Sequence, residues 1–210
     1  MMPALALVLL SLTSCFVAEG LLVARDAHKE EARQAALAAR GPYPVATGPA
    51  GGLIFYDKGT TSDGWRYLEA APVEYEFAAV WSAGKKVANT SMDFGYWGSL
   101  ADYGAGKKNT QEIIKVVASA NETGTAAQQC AALNINGFKD WYLPSFREAE
   151  AMLVNLHRQN KGGFAKSGDA KYLTSSQIDD NTVWYVDFAK GQILWGDKSH
   201  TYRVRPIRAF

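Results

Sequence analysis

The chain has 210 residues with 48% hydrophobic and 12% aromatic content, enough to bury one sizeable core once a leader is set aside. Its 22 Lys plus Arg against 21 Asp plus Glu leave +1, and the four cations and four anions up to Arg40 cancel, so the body is balanced too. A balanced body offers no basic field to release phosphate counterions, which argues against nucleic acid as a partner.

The N-terminus carries a short apolar run, Ala4 to Leu10, followed by Ser11-Leu12-Thr13-Ser14-Cys15. Leu12-Thr13-Ser14-Cys15 resembles a bacterial lipobox, in which the leader is removed before Cys15 and the Cys15 sulfur carries a diacylglycerol that ties the protein to a membrane. Because no Lys or Arg precedes the apolar run, an ordinary signal peptide cut near Ala18 to Gly20, or an uncleaved anchor, stays open. Phe16, after the cysteine, carries no signal that chooses a membrane face. Residues 1–22 are read as leader, residues 23–50 as a charged helical spacer ending in a Pro and Gly linker, and residues 51–210 as the folded domain.

In that domain Leu53-Ile54-Phe55-Tyr56 and Trp65-Arg66-Tyr67-Leu68-Glu69 predict a hairpin about a Gly59 to Gly64 turn. From Ala71 to Lys108 periodicity weakens while aromatic residues stay dense, the pattern of an elaborated loop. Three helices follow: one capped by Asn109 with Glu112 reaching back, one capped by Thr125 that carries Cys130 and ends near Asn136-Gly137, and one opened by the capping box Ser145-Phe146-Arg147-Glu148. Strands return at Lys171 to Ser175, Val183 to Phe188, Gln192 to Trp195 and Tyr202 to Arg208, with Ala189-Lys190-Gly191 as a hairpin turn. Strands, then helices, then strands describe α+β.

The closing Arg203-Val204-Arg205-Pro206-Ile207-Arg208-Ala209-Phe210 alternates cations with apolar groups; Val204 and Ile207 need a core, and each arginine needs an acceptor or water. Pro206, which cannot donate to a ladder, points to an edge or bulge. This segment is accompanied by the Gly51 to Glu69 block, by Gly106-Lys107-Lys108-Asn109-Thr110, by Asp140-Trp141-Tyr142-Leu143-Pro144-Ser145, and by Tyr172-Leu173-Thr174-Ser175-Ser176 before Trp184. In this order the blocks resemble the Lcl-type C-terminal domain, a bacterial extracytoplasmic module named after a collagen-like adhesin that binds sulfated glycosaminoglycans. The resemblance implies a C-type-lectin-like fold, with N- and C-terminal strands paired in one antiparallel sheet and two to three helices alongside. It also implies a binding role, and it makes Trp141, Pro144, Arg203, Arg205 and Arg208 structural motif residues, the arginines ligand contacts only second.

Catalytic constellations are scarce. The three histidines, His28, His157 and His200, are scattered, and neither Ser145 nor Ser175 sits in a nucleophile elbow. With Cys15 lipidated, Cys130 is the one remaining thiol, in a helix-forming run that favours packing over nucleophilic use. Enzymes of related fold that oxidise sulfatase cysteines need a cysteine pair that is absent here. Asp179-Asp180-Asn181 with Asp187 offers oxygen ligands for calcium, but the Glu-Pro-Asn, Gln-Pro-Asp and Trp-Asn-Asp motifs of calcium-dependent lectins are missing, so the Asp pair is read as a turn. No metal or cofactor is assigned.

Recognition is the remaining class. Six Trp and ten Tyr supply flat faces for sugar rings. The candidate ligand residues are Tyr96, Trp97, Tyr103, Trp184 and Trp195, with Lys107 and Lys108, alongside Lys85 and Lys86, as cations for sulfate groups. Packing is the competing assignment for the tryptophans in regular elements. The sequence therefore reads as an envelope lipoprotein, periplasmic or surface-exposed, whose partner is a glycan or polyanionic saccharide. The alternatives are an envelope protein bound through the aromatic loop 81–103 and an enzyme of unrecognised type.

Overall fold

The computed structural model describes residues 43–84 and 102–210. By its contacts the chain divides into Met1–Pro42 and Tyr43–Phe210, and the second unit is the one described. The leader, Cys15, Tyr96, Trp97, Lys85 and Lys86 lie outside the described residues.

The unit is α+β, with two sheets and three helices among the described residues. Sheet one runs β1 (Ala46–Thr47), β2 (Leu53–Ser62), β3 (Trp65–Ala70) and, from the far end of the chain, β9 (Ile207–Ala209), all antiparallel. The hairpin turn is tighter than the Gly59 to Gly64 span the sequence suggests. Ser62 faces Trp65 across a two-residue turn, in which Asp63 (φ 53°) and Gly64 (φ 78°) both take the left-handed backbone that matches strand twist. Gly59 falls inside β2, where the register shifts. Residues 43–50, assigned to a linker by their Pro and Gly content, belong to the fold: Thr47 pairs with Leu53, and the Ala50 N–H donates to Glu69 at 3.1 Å.

Sheet two is ordered β4 (Phe77–Ala79), β8 (Tyr202–Val204), β5 (Lys171–Gln177), β6 (Thr182–Asp187) and β7 (Gln192–Asp197). Its one parallel pairing joins β5 and β8 through Tyr172 and Arg203. Successive residues of β5 serve different cores, as the period-two pleat dictates. Tyr172 packs with Phe55, Leu68, Met152, Phe188 and Ile207. Leu173 packs on the other side with Trp81, Ile113, Val117, Cys130 and Val204. A smaller cluster joins Trp141 to Ala50, Ala71 and Ile135.

The helices are α1 (Ala105–Ser119), α2 (Ala126–Ala131) and α3 (Phe146–Asn155). Asn109 does not cap α1. The helix starts four residues earlier, after Gly104 at φ 87°, and Asn109 is buried within it, its amide 3.2 Å from the Ser175 hydroxyl. The α2 cap is Thr125, whose N–H donates to the Gln128 side chain at 3.1 Å, but this helix stops at Ala131, and Asn136 and Gly137 turn separately with positive φ. Ser145 caps α3, with its N–H on Glu148 at 2.6 Å.

The closing segment is not one strand. β8 belongs to sheet two and β9 to sheet one, with Arg205-Pro206 crossing between them. Pro206 has no N–H to continue a ladder; its carbonyl instead takes the Ala71 N–H at 2.9 Å, and Ile207 exchanges two backbone bonds with Tyr142. Val204 and Ile207 are fully buried. No helix among the described residues is long and apolar enough to cross a membrane.

Candidate functional site

The crossover consumes all three arginines. Arg208 grips Asp140 with two bonds, 2.9 and 3.1 Å, and reaches the fully buried Glu69 at 3.2 Å. Glu69 also accepts from Gly52 N–H at 2.8 Å, so one carboxylate joins β3, β9 and the chain before β2. Arg208 lies between the Phe138 and Phe210 rings, 4.2 and 4.8 Å away. Arg205 pairs with Glu76, donates to the Gly162 carbonyl at 2.7 Å and covers the Phe164 ring at 4.2 Å. Arg203 adds a 2.9 Å bond to the same Glu76 and a 2.7 Å bond to the Asp169 carbonyl. Charges as deep as Arg205 and Arg208 need bidentate geometry and further partners to offset desolvation, and both are present; the Arg203 side chain is partly exposed. Trp141 is buried with its N–H on the Phe138 carbonyl at 3.1 Å, and the Pro144 carbonyl receives the Ser175 N–H at 2.7 Å.

A second polar centre lies where α1 and α3 begin. Glu148 is fully buried and accepts from Gly104 N–H at 2.8 Å, Ser145 N–H at 2.6 Å and the Tyr142 hydroxyl at 3.2 Å. Burial pushes its carboxyl up to about 7, against the pull of the Ser145 and Gly104 donors. Gly106 sits against this carboxylate and the Leu143 carbonyl so closely that a Cβ there would collide with both. The capping box makes Glu148 visible in the sequence, but its link to Gly104 is not; the closely spaced Gly104 and Gly106 are the only local sign of the tight approach.

The ligand candidates fall into two groups. Tyr103 stacks on Tyr56 at 4.0 Å, Tyr56 lies 6.2 Å from Trp65, and Lys58 caps the Trp65 ring at 3.9 Å. Lys107 and Lys108 project into solvent from the first turn of α1, just past Tyr103, and neither is held in an ion pair among the described residues. On sheet two, Trp184 and Trp195 face each other across β6 and β7 with rings edge to face at 5.8 Å, and Phe146, at the start of α3, packs on Trp184 at 5.6 Å. The sequence does not point to Tyr56 or Phe146, whose roles arise from contacts distant in the chain.

Other reactive groups are absorbed by packing. Cys130 is fully buried, and that burial drives its thiol pKa far up. His157 packs among Phe164 and Phe188, and desolvation lowers its pKa. Asp179 accepts from Asn181 and Thr182 N–H at 2.8 and 2.7 Å, a turn whose backbone donors hold its carboxyl below the usual range. Among the described residues no group of three or more His, Cys, Asp or Glu is placed to hold a metal ion. Trp81, at the start of the 81–103 segment, is fully buried, with its N–H on the Thr174 carbonyl at 3.1 Å.

None of the curated proteins matches the chain. A solved fimbrial protein from Bacteroides ovatus ATCC 8483 is similar over 69% of this chain and 36% of that one, at 14% identity and a TM-score of 0.45. This chain thus spans little more than a third of that protein's length. The profile of the Lcl C-terminal domain matches residues 78–208, which take in the start of α1, the Asp140 to Ser145 block and all three crossover arginines. With that match over more than half its length, the chain belongs to the Lcl C-terminal domain family.

Proposed function

We propose that this protein is a non-enzymatic recognition module of the bacterial cell envelope, adhesin-like, that binds glycans and in particular sulfated polysaccharide. One observation carries the reading: the crossover arginines are spent on buried carboxylates, while Lys107 and Lys108 stand exposed on the first turn of α1. Exposed lysines meet sulfate groups as point charges. The meeting of β9 with the Leu53 hairpin supports a C-type-lectin-like arrangement of the body. Anchoring through lipid on Cys15 completes the proposal and places the module outside the cytoplasm.

A protein partner on the 81–103 loop has less support, because Trp81, at its start, is fully buried with its N–H on the Thr174 carbonyl. The test is a glycan array combined with a heparin column eluted in a salt gradient. Salt-sensitive retention is expected; no retention and no array signal overturns the proposal.

A further inference from the structure

We infer that Trp195 and Trp184 form a saccharide subsite for a neutral sugar unit, with a pyranose ring on the exposed Trp195 indole and one sugar oxygen on the Trp184 indole N–H. This rests on the recognition reading above and adds an uncharged subsite on sheet two.

Trp195 lies on β7, the edge strand of sheet two, and is 60% exposed. Among the described residues it and Val73 are the only large hydrophobics so exposed. A lone surface tryptophan needs no explanation by itself. What sets this one apart is its neighbour: the Nε1–H of Trp184, paired with Trp195 across the strands, is buried and has no hydrogen-bond partner. Buried donors are nearly always satisfied, so this one calls for an acceptor brought from outside.

Size and chemistry select the occupant. A stable protein interface covers roughly 800 Å² on each partner, whereas a tryptophan side chain offers about 150–250 Å² in all. One indole face does match one pyranose ring, whose C–H groups lie flat on the aromatic surface while its hydroxyls point outward. An apolar ligand would leave the Trp184 donor unpaired. A sulfate is disfavoured as well: Arg147, 5.5 Å over the neighbouring Phe146 ring, is already bound to Glu150 at 2.9 Å, and Asp197 follows two residues after Trp195 on the same strand. The N–H is shielded in the free protein, so the side chains that cover it must move aside as the sugar binds.

The test uses the intact protein with three neutral probes, the trisaccharides of glucose, galactose and N-acetylglucosamine, read by tryptophan fluorescence and calorimetry. At least one binds the wild type and shifts its emission. W195A weakens that binding at least tenfold without moving the thermal midpoint. W184F, which keeps an aromatic ring and removes the N–H, weakens it about fivefold, with circular dichroism confirming the fold. If a trisaccharide binds both variants within twofold of wild type, this subsite falls and the recognition reading stands. Heparin retention with no trisaccharide binding has the same consequence. Failure of the wild type with both heparin and the trisaccharides overturns both.

Discussion

Arg208 at the C-terminal crossover and Lys107 at the start of α1 carry the same charge in opposite settings. Arg208 is 4% exposed, forked onto Asp140 and bonded to Glu69, and its guanidinium is sandwiched by two rings. Lys107 and Lys108 stand in water on the first turn of a helix. The Arg208 site suits its cation: a planar, weakly hydrated guanidinium forks onto a carboxylate and lies over a ring at less desolvation cost than a strongly hydrated ammonium. The setting and not the cation type marks which part holds the fold, since Lys198 is itself fully buried, its ammonium over the Trp81 ring and bonded to Gln177.

The largest effect is expected on the buried side of that comparison. R208A leaves Glu69 and Asp140 without their shared cation and lowers unfolding free energy by about 3–5 kcal/mol in urea titrations. R208K restores little, because one ammonium cannot reproduce the fork. A loss under about 1 kcal/mol for R208A would remove the crossover's structural role.

Next in size is the pH response of Glu148. Its folded pKa, raised by burial to about 7 from 4.5, means that the folded state holds the proton more tightly than the unfolded chain. The stability it contributes is complete below about 4.5, declines as pH rises, and is lost above about 7, a change on the order of 3 kcal/mol. Denaturation midpoints from pH 4 to 8 should show that decline in the wild type and lack it in E148Q. An equal decline in E148Q would assign it to other groups.

Smaller again is S145A, which removes a hydroxyl that accepts from Glu148 N–H at 3.4 Å and donates to the Asp102 carbonyl at 2.8 Å. Loss of such a cap costs about 1 kcal/mol, read as a lower thermal midpoint. On the exposed side, K107A/K108A should leave stability within about 0.5 kcal/mol of wild type by the same urea titration. A larger loss would move the lysines to the structural side.

Features with local causes were legible in the sequence. The Ser145 to Glu148 capping box, the Thr125 cap, the Leu53 hairpin and the α+β order all follow from neighbours a few residues apart. Features with distant causes were not. Asn109 has the right chemistry for a cap, yet its partner is Ser175, 66 residues on, and the helix begins instead at a left-handed glycine. The alternation from Tyr202 to Arg208 is that of a single strand, and nothing in it reveals that β8 and β9 enter different sheets; Pro206 was the one hint of a break. At the candidate site, Trp184 and Trp195 could be named as aromatic faces, but their mutual contact and the unpaired N–H depend on strand register.

The division of labour between cations is tested most directly by heparin-column elution of K107A/K108A beside R203A. Arg203 is the most exposed of the three crossover arginines, its side chain 43% accessible, and Arg205 still pairs with Glu76 when it is removed. The account predicts that the double lysine variant elutes at clearly lower salt while R203A elutes with the wild type. Early elution of R203A with unchanged retention of K107A/K108A would contradict it.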